Sequence, residues 1–153
     1  MHIIELKNKI QNIVYKANNL KNKYIEEKNI SVNYACIFCQ NDKEFTELQI
    51  LTKTFGKVIK ETTTGPLFEI EHLQTVAGEL KLLKIRTPDP TRPEEGDADF
   101  TIANFEEFEK KYLGKQNFKL IERVDMKMIE LVDKDFDVRV YFSNPPLIKL
   151  LDI

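Results

Sequence analysis

The chain has 153 residues, 42% hydrophobic and 31% charged, with a formal net charge of −2, an ordinary composition for a globular domain long enough to bury a core. Lys and Arg are scattered among Asp and Glu with no basic stripe, which argues against a nucleic-acid partner. No apolar run nears the ~18 residues of a membrane span, and the polar N-terminal stretch lacks a signal-peptide core, so no membrane association and a cytoplasmic location are expected.

Residues 2–28 read as one long helix. Ile3, Leu6, Ile10, Ile13, Ala17, Leu20 and Tyr24 step by three and four, and Ile4, Val14 and Ile25 widen the stripe. Regular spacing of this kind would suit a seam between two chains, hence a homodimer through this helix or through a sheet. The width of the stripe favours the other reading, a helix over residues 1–30 laid on its own domain. Residues 32–39 form an apolar strand, with Tyr34, Cys36 and Phe38 on one face and Ala35, Ile37 and Cys39 on the other. The two cysteines make a C-x-x-C, but zinc needs two further ligands and a redox pair needs an exposed helix N-terminus. They read as small buried hydrophobes.

Asn41 followed by Glu44 predicts a helix cap, the helix running over 43–55 with Phe45, Leu48, Leu51 and Phe55 inward. Gly56 is the expected left-handed residue at its end. Strands follow at 57–62, 67–71 and 80–86, separated by turns at 63–66 and 76–78. Residues 87–97 hold three prolines and two glutamates with Arg92 and Asp97, and read either as a lid or as a plain crossover. The plan then repeats: a strand at 99–103, an Asn104/Glu107 cap, a helix at 105–113, Gly114, and strands near 118–123, 126–132 and 137–143. An apolar tail, Leu147–Ile153, packs back on the domain. The fold class is α+β: two βαβββ modules, about 31–87 and 98–143 within a domain spanning 31–153, forming a curled mixed sheet behind a long N-terminal helix.

Over residues 31–143 this duplicated order, with its paired caps and closing hairpin, resembles the vicinal oxygen chelate superfamily, which includes glyoxalase I and extradiol dioxygenases. The stretch Leu67–Ile102 looks loosely like its YecM-type branch. The resemblance implies a cup between the modules, with metal ligands, typically His, Glu or Gln, on the first and last strands of each. Sliding the halves together places Tyr34 and Asp99 at the first-strand positions, with Arg86 and Arg139 or Tyr141 at the last-strand ones. A guanidinium has no lone pair to give, and the two histidines, His2 and His72, fall on neither set of strands. No metal and no cofactor are therefore expected.

What remains is a metal-independent cup for a small anionic or polar molecule, bound by Tyr34, Arg86, Asp99, Arg139 and Tyr141, with Arg86 as the clamp. A rival reading is a lyase- or isomerase-type enzyme with Asp99 as general base and Tyr34 as acid. A third is an interaction protein that docks through helix 2–28 and carries a vestigial cup. An Arg86–Asp99 ion pair would mark the cup as filled and inert.

Overall fold

A computed structural model describes residues 1–151. In chain order the elements are α1 (Ile3–Tyr24), β1 (Val32–Phe38), α2 (Asp42–Thr52), β2 (Gly56–Thr62), β3 (Gly65–Thr75), β4 (Gly78–Arg86), β5 (Gly96–Phe100), α3 (Phe105–Tyr112), β6 (Phe118–Glu122), β7 (Lys127–Leu131), β8 (Val138–Asn144) and α4 (Leu147–Leu150). Of the expected apolar tail, Asp152 and Ile153 lie outside the described residues. All eight strands form one open mixed sheet in the order β2-β3-β4-β1-β5-β8-β7-β6. The expected α+β plan of two βαβββ units behind a helix is therefore what the chain adopts. Within each unit the first and last strands are parallel, β1 with β4 and β5 with β8. The units meet through the antiparallel β1–β5 pair.

Helix α1 lies across this join on the sheet's outer face, touching β1, β3, β5 and β8. Leu6, Ile10, Ile13, Val14, Ala17 and Leu20 are buried there, so the stripe is covered by the chain's own sheet. The helix begins at His2, whose Nδ1 accepts from the Ile4 amide at 3.2 Å. It stops at Tyr24, four residues short of expectation, because Ile25 turns extended while its amide still donates to the Lys21 carbonyl. Ile4 does not belong to the buried stripe and is 62% exposed. Asp133 in the β7–β8 turn pins the far end of the helix, accepting from Lys23 Nζ at 2.8 Å and Tyr24 Oη at 2.5 Å.

The two caps form as read: Asn41 accepts from the Glu44 amide at 2.8 Å and Asn104 from the Glu107 amide at 3.2 Å. The glycines after the helices differ. Gly114 is left-handed, with φ at 103°, but Gly56 is not; it opens β2, and a Cβ there would meet the Glu69 carbonyl oxygen at 2.8 Å. β3 runs on to Thr75, four residues past its expected end, and β5 is shifted as a whole, spanning 96–100 instead of 99–103. Gly96 lets it start early: a Cβ at that position would lie 2.2 Å from the Cys36 carbonyl oxygen, so only glycine admits this approach.

Ile10, fully buried under the sheet, should lose about 2–5 kcal/mol of stability on replacement by Ala. The exposed Ile4 should change by no more than about 0.5 kcal/mol. Urea denaturation of Ile10→Ala and Ile4→Ala would show both, and equal costs would mean that α1 packs differently.

Candidate functional site

Alternation along the four central strands sends one set of side chains to the helix-covered face and the other to the concave face. Ala35, Ile37, Leu83, Ile85, Ala98, Val140 and Phe142 join the core. Their neighbours line a cavity of about 570 Å³. Cross-strand register arranges these neighbours in rows. One row reads Lys84, Cys36, Asp97, Arg139, and the next Tyr34, Asp99, Tyr141, Glu130. A third, from β8 to the far edge, reads Ser143, Met128, Ile121.

The expected residues Tyr34, Arg86, Asp99 and Tyr141 all line this cavity. Arg139 does not; it sits on the cup face of β8 but is drawn to the rim. Its Nε lies 3.0 Å from Glu94, its Nη1 3.6 Å from Glu130, and its Nη2 donates to the Thr91 carbonyl at 2.8 Å. Lys84 and Ser143, which carried no signal in the sequence, also face the cavity, as do Arg92 and Asp97, expected only as part of a lid or crossover. Aligning Asn41 with Asn104 equates Asp97 with Tyr34 and Asp99 with Cys36, so those caps were the available signal for Asp97. The Tyr34/Asp99 equivalence is corrected accordingly: these two are direct partners across the β1–β5 pair.

No Arg86–Asp99 ion pair forms. Arg86 Nη2 reaches Asp89 at 3.5 Å, and its buried Nε has no hydrogen-bond partner among the described residues. Asp99 accepts from Asn33 Nδ2 at 3.1 Å and from the Ser143 hydroxyl. A register shift between Val32 and Tyr34 accompanies this turn of Asn33 toward Asp99. Burial pushes the Asp99 carboxyl up to about 7, with the Ser143 and Asn33 hydrogen bonds acting in the opposite direction. Burial, and next the Asp99 charge, push Asp97 up to about 7 as well, against the pull of Arg92, Arg86 and Lys84. Asp97 Oδ1 is buried without a partner among the described residues. Tyr34 is raised well above its ordinary value by burial, and Lys84 is lowered by the same cause. Tyr34 therefore stays a neutral hydrogen-bonding group at physiological pH.

The proline-rich segment 87–95 folds against one end of the cup. Gln40 Nε2 donates to the Glu94 carbonyl at 3.1 Å, Lys16 pairs with Glu95 at 2.7 Å, and Phe38 donates its amide to the Glu95 carbonyl at 3.0 Å. The segment delivers Arg92 into the cavity, where the guanidinium lies over the Phe38 ring at 5.3 Å and donates to Tyr141 Oη at 3.1 Å.

The metal positions implied by the resemblance fit a cation poorly. Among the described residues no group of three or more His, Cys, Asp or Glu gathers in ligating range. Lys84, Arg86 and Arg92 surround Asp97 with positive charge, which repels a divalent ion and offers it no lone pair. His2 caps α1 and His72 pairs with Glu79 at 3.0 Å, both away from the cup.

No protein-family model matches the chain and no curated protein sequence matches it. Among solved structures, a structural-genomics protein, EC4020, is similar with a TM-score of 0.73 and 8% identity, over 95% of this chain and 88% of that one. A glyoxalase/bleomycin resistance protein/dioxygenase superfamily member from Vibrio splendidus 12B01 gives a TM-score of 0.46 at 11% identity, over 74% of this chain and 97% of that one. Glyoxalase I from Zea mays gives 0.41 at 16% identity, over 74% of this chain and 42% of that one. The resemblance to the vicinal oxygen chelate superfamily stands as one of fold, carried by the paired modules; the YecM-type branch is not confirmed.

The carboxyl of Asp97 has a folded-state value above its unfolded one. Its protonated form thus favours folding, fully below about pH 4, and this contribution is lost as pH rises through about 7. Asp97→Asn should therefore gain stability relative to the parent between pH 5 and pH 8, by on the order of 2 kcal/mol. Urea titrations of both proteins at the two pH values measure this, and a pH-independent difference would contradict it.

Proposed function

We propose that the chain binds a small anionic molecule in the cup without a metal ion. The observation that carries this reading is the buried, unpartnered Nε of Arg86, beside Lys84 and Arg92 on one cavity wall. A buried guanidinium edge without an acceptor is costly, and a carboxylate or phosphate oxygen would supply one. Arg86 and Arg92 each lie near Asp89, but at 3.5 Å and 3.9 Å, distances that leave both forks with donors to offer. The anchors are then Arg86, Lys84 and Arg92, with Tyr34 as a neutral partner and Arg139 holding the loop in place; Tyr141 gives its proton to Glu130 at 2.7 Å and accepts from Arg92.

An interaction protein docking through the stripe of α1 finds no support, since that stripe lies under the chain's own sheet. The lyase or isomerase reading is favoured by one observation, the free oxygen of Asp97, and moves its base from Asp99 to Asp97. Solvent deuterium appearing in a bound carbon acid, and failing to appear with Asp97→Asn, would support it.

In a calorimetric titration with small carboxylates and phosphate, Arg86→Gln should weaken binding by roughly 10–100-fold, the value of a charge-assisted hydrogen bond pair. Chelation with EDTA should leave the parent's affinity unchanged. A parent that ignores every anion, or that binds only after metal is restored, would refute the proposal. As pH rises through 7, Asp97 and Asp99 gain negative charge beside the anchors. Affinity for a singly charged acid should then fall about tenfold or more between pH 6 and pH 8, and a flat profile would exclude these carboxyls from the cup's electrostatics.

A further inference from the structure

The two ends of the cup differ in chemistry. At the end closed by segment 87–95 stand Lys84, Arg86 and Arg92, with Asp97 between them. Beyond the middle row of Tyr34, Asp99 and Tyr141, the register passes to Ser143, Met128 and Ile121. Met126, on the same hairpin, and Leu147, at the start of α4, complete this end. Ile121, Met126, Met128 and Leu147 are each only half-buried, with a free surface on the cavity. Ser143 is not available to a ligand as a free donor, because its hydroxyl is given to Asp99. Arg123, at the tip of the β6–β7 hairpin, is exposed to solvent at the mouth.

We infer that the ligand is an organic acid with an apolar body, its anionic head at the Lys84–Arg86–Arg92 end and its body against the Ile121–Met126–Met128–Leu147 wall. The inference rests on the anion-binding reading and extends it to the rest of the molecule. A hydroxyl-rich acid laid along the same axis would set its hydroxyls against side chains that can neither donate nor accept usefully, at a desolvation cost. An alkyl or aryl body gains from removing both surfaces from water. Two methionines on one wall add tolerance, because an unbranched thioether side chain fits bodies of different outline. The cavity, about 570 Å³, lies within the range of pockets that enclose small organic ligands.

The test uses three probes on the full chain by isothermal titration calorimetry: 4-phenylbutanoate, its uncharged amide, and gluconate. The parent should bind 4-phenylbutanoate at least about tenfold more tightly than gluconate, and more tightly than the amide. The double variant Met126→Ser with Met128→Ser should lose most of the preference over gluconate, and a variant that keeps the parent's full preference would overturn the apolar wall. Equal affinity for the two acids would overturn the apolar wall while leaving the anion reading intact. Equal affinity for 4-phenylbutanoate and its amide would overturn the anion reading and, with it, the head-and-body orientation. Binding of one acid per two chains would place a second copy over the wall and overturn the inference. No binding of any probe would refute both.

Discussion

The structure depends on the antiparallel pairing of β1 with β5. Each βαβββ unit by itself is a four-stranded sheet whose first strand is an unpaired edge, rich in open amides and carbonyls. Joining the two first strands removes both edges and makes one sheet of eight. It also sets what the cup contains. The register that pairs Ala35 with Ala98 also pairs Cys36 with Asp97 and Tyr34 with Asp99, and a slip of one residue would send both carboxylates into the core. Gly96 sets this register, since any side chain there would strike the Cys36 carbonyl.

Much of the architecture was legible because it rests on local chemistry. The two Asn caps, the apolar strand at 32–39 and the stripe of α1 each follow from residues within one or two turns of one another. The start of β5 was not legible for the opposite reason. Glu94, Glu95 and Gly96 read as loop by composition, and only their partners on another strand make the residues after them extended. That tertiary override displaced the strand by three positions and hid Asp97 from the candidate site. Ile4 misled in a simpler way, since a helix wide enough to include it would need a second surface to bury it. Lys84 escaped notice, and Arg92 was legible only as part of a loop, because a single cation in a strand or a proline-rich segment carries no signal until curvature and loop closure bring it to others.

The cup shows how a fold can keep its concavity while its contents change. Where the resemblance implied ligands for a cation, the pseudo-equivalent positions Tyr34/Asp97 and Cys36/Asp99 hold two acids, a phenol and a thiol, and β4, the last strand of the first unit, contributes Lys84 and Arg86. These groups hold one another in check electrostatically. Burial raises the two carboxyls, and neighbouring cations pull Asp97 the other way. The site thus has a charge that moves with small changes near neutral pH, without a histidine at any of its positions.

The placement of α1 also bears on biosynthesis. The helix leaves the ribosome before any strand of the sheet, yet two of the strands it lies against, β5 and β8, belong to the second half of the chain. Part of its apolar stripe therefore has no partner until residue 144 has been made, although the first βαβββ unit can already form behind it. During that interval a nascent chain leaves the C-terminal part of the helix uncovered, where Lys21 and Tyr24 later meet Phe100, Phe118 and Asp133. A segment with these properties is a natural client for holdase chaperones during translation.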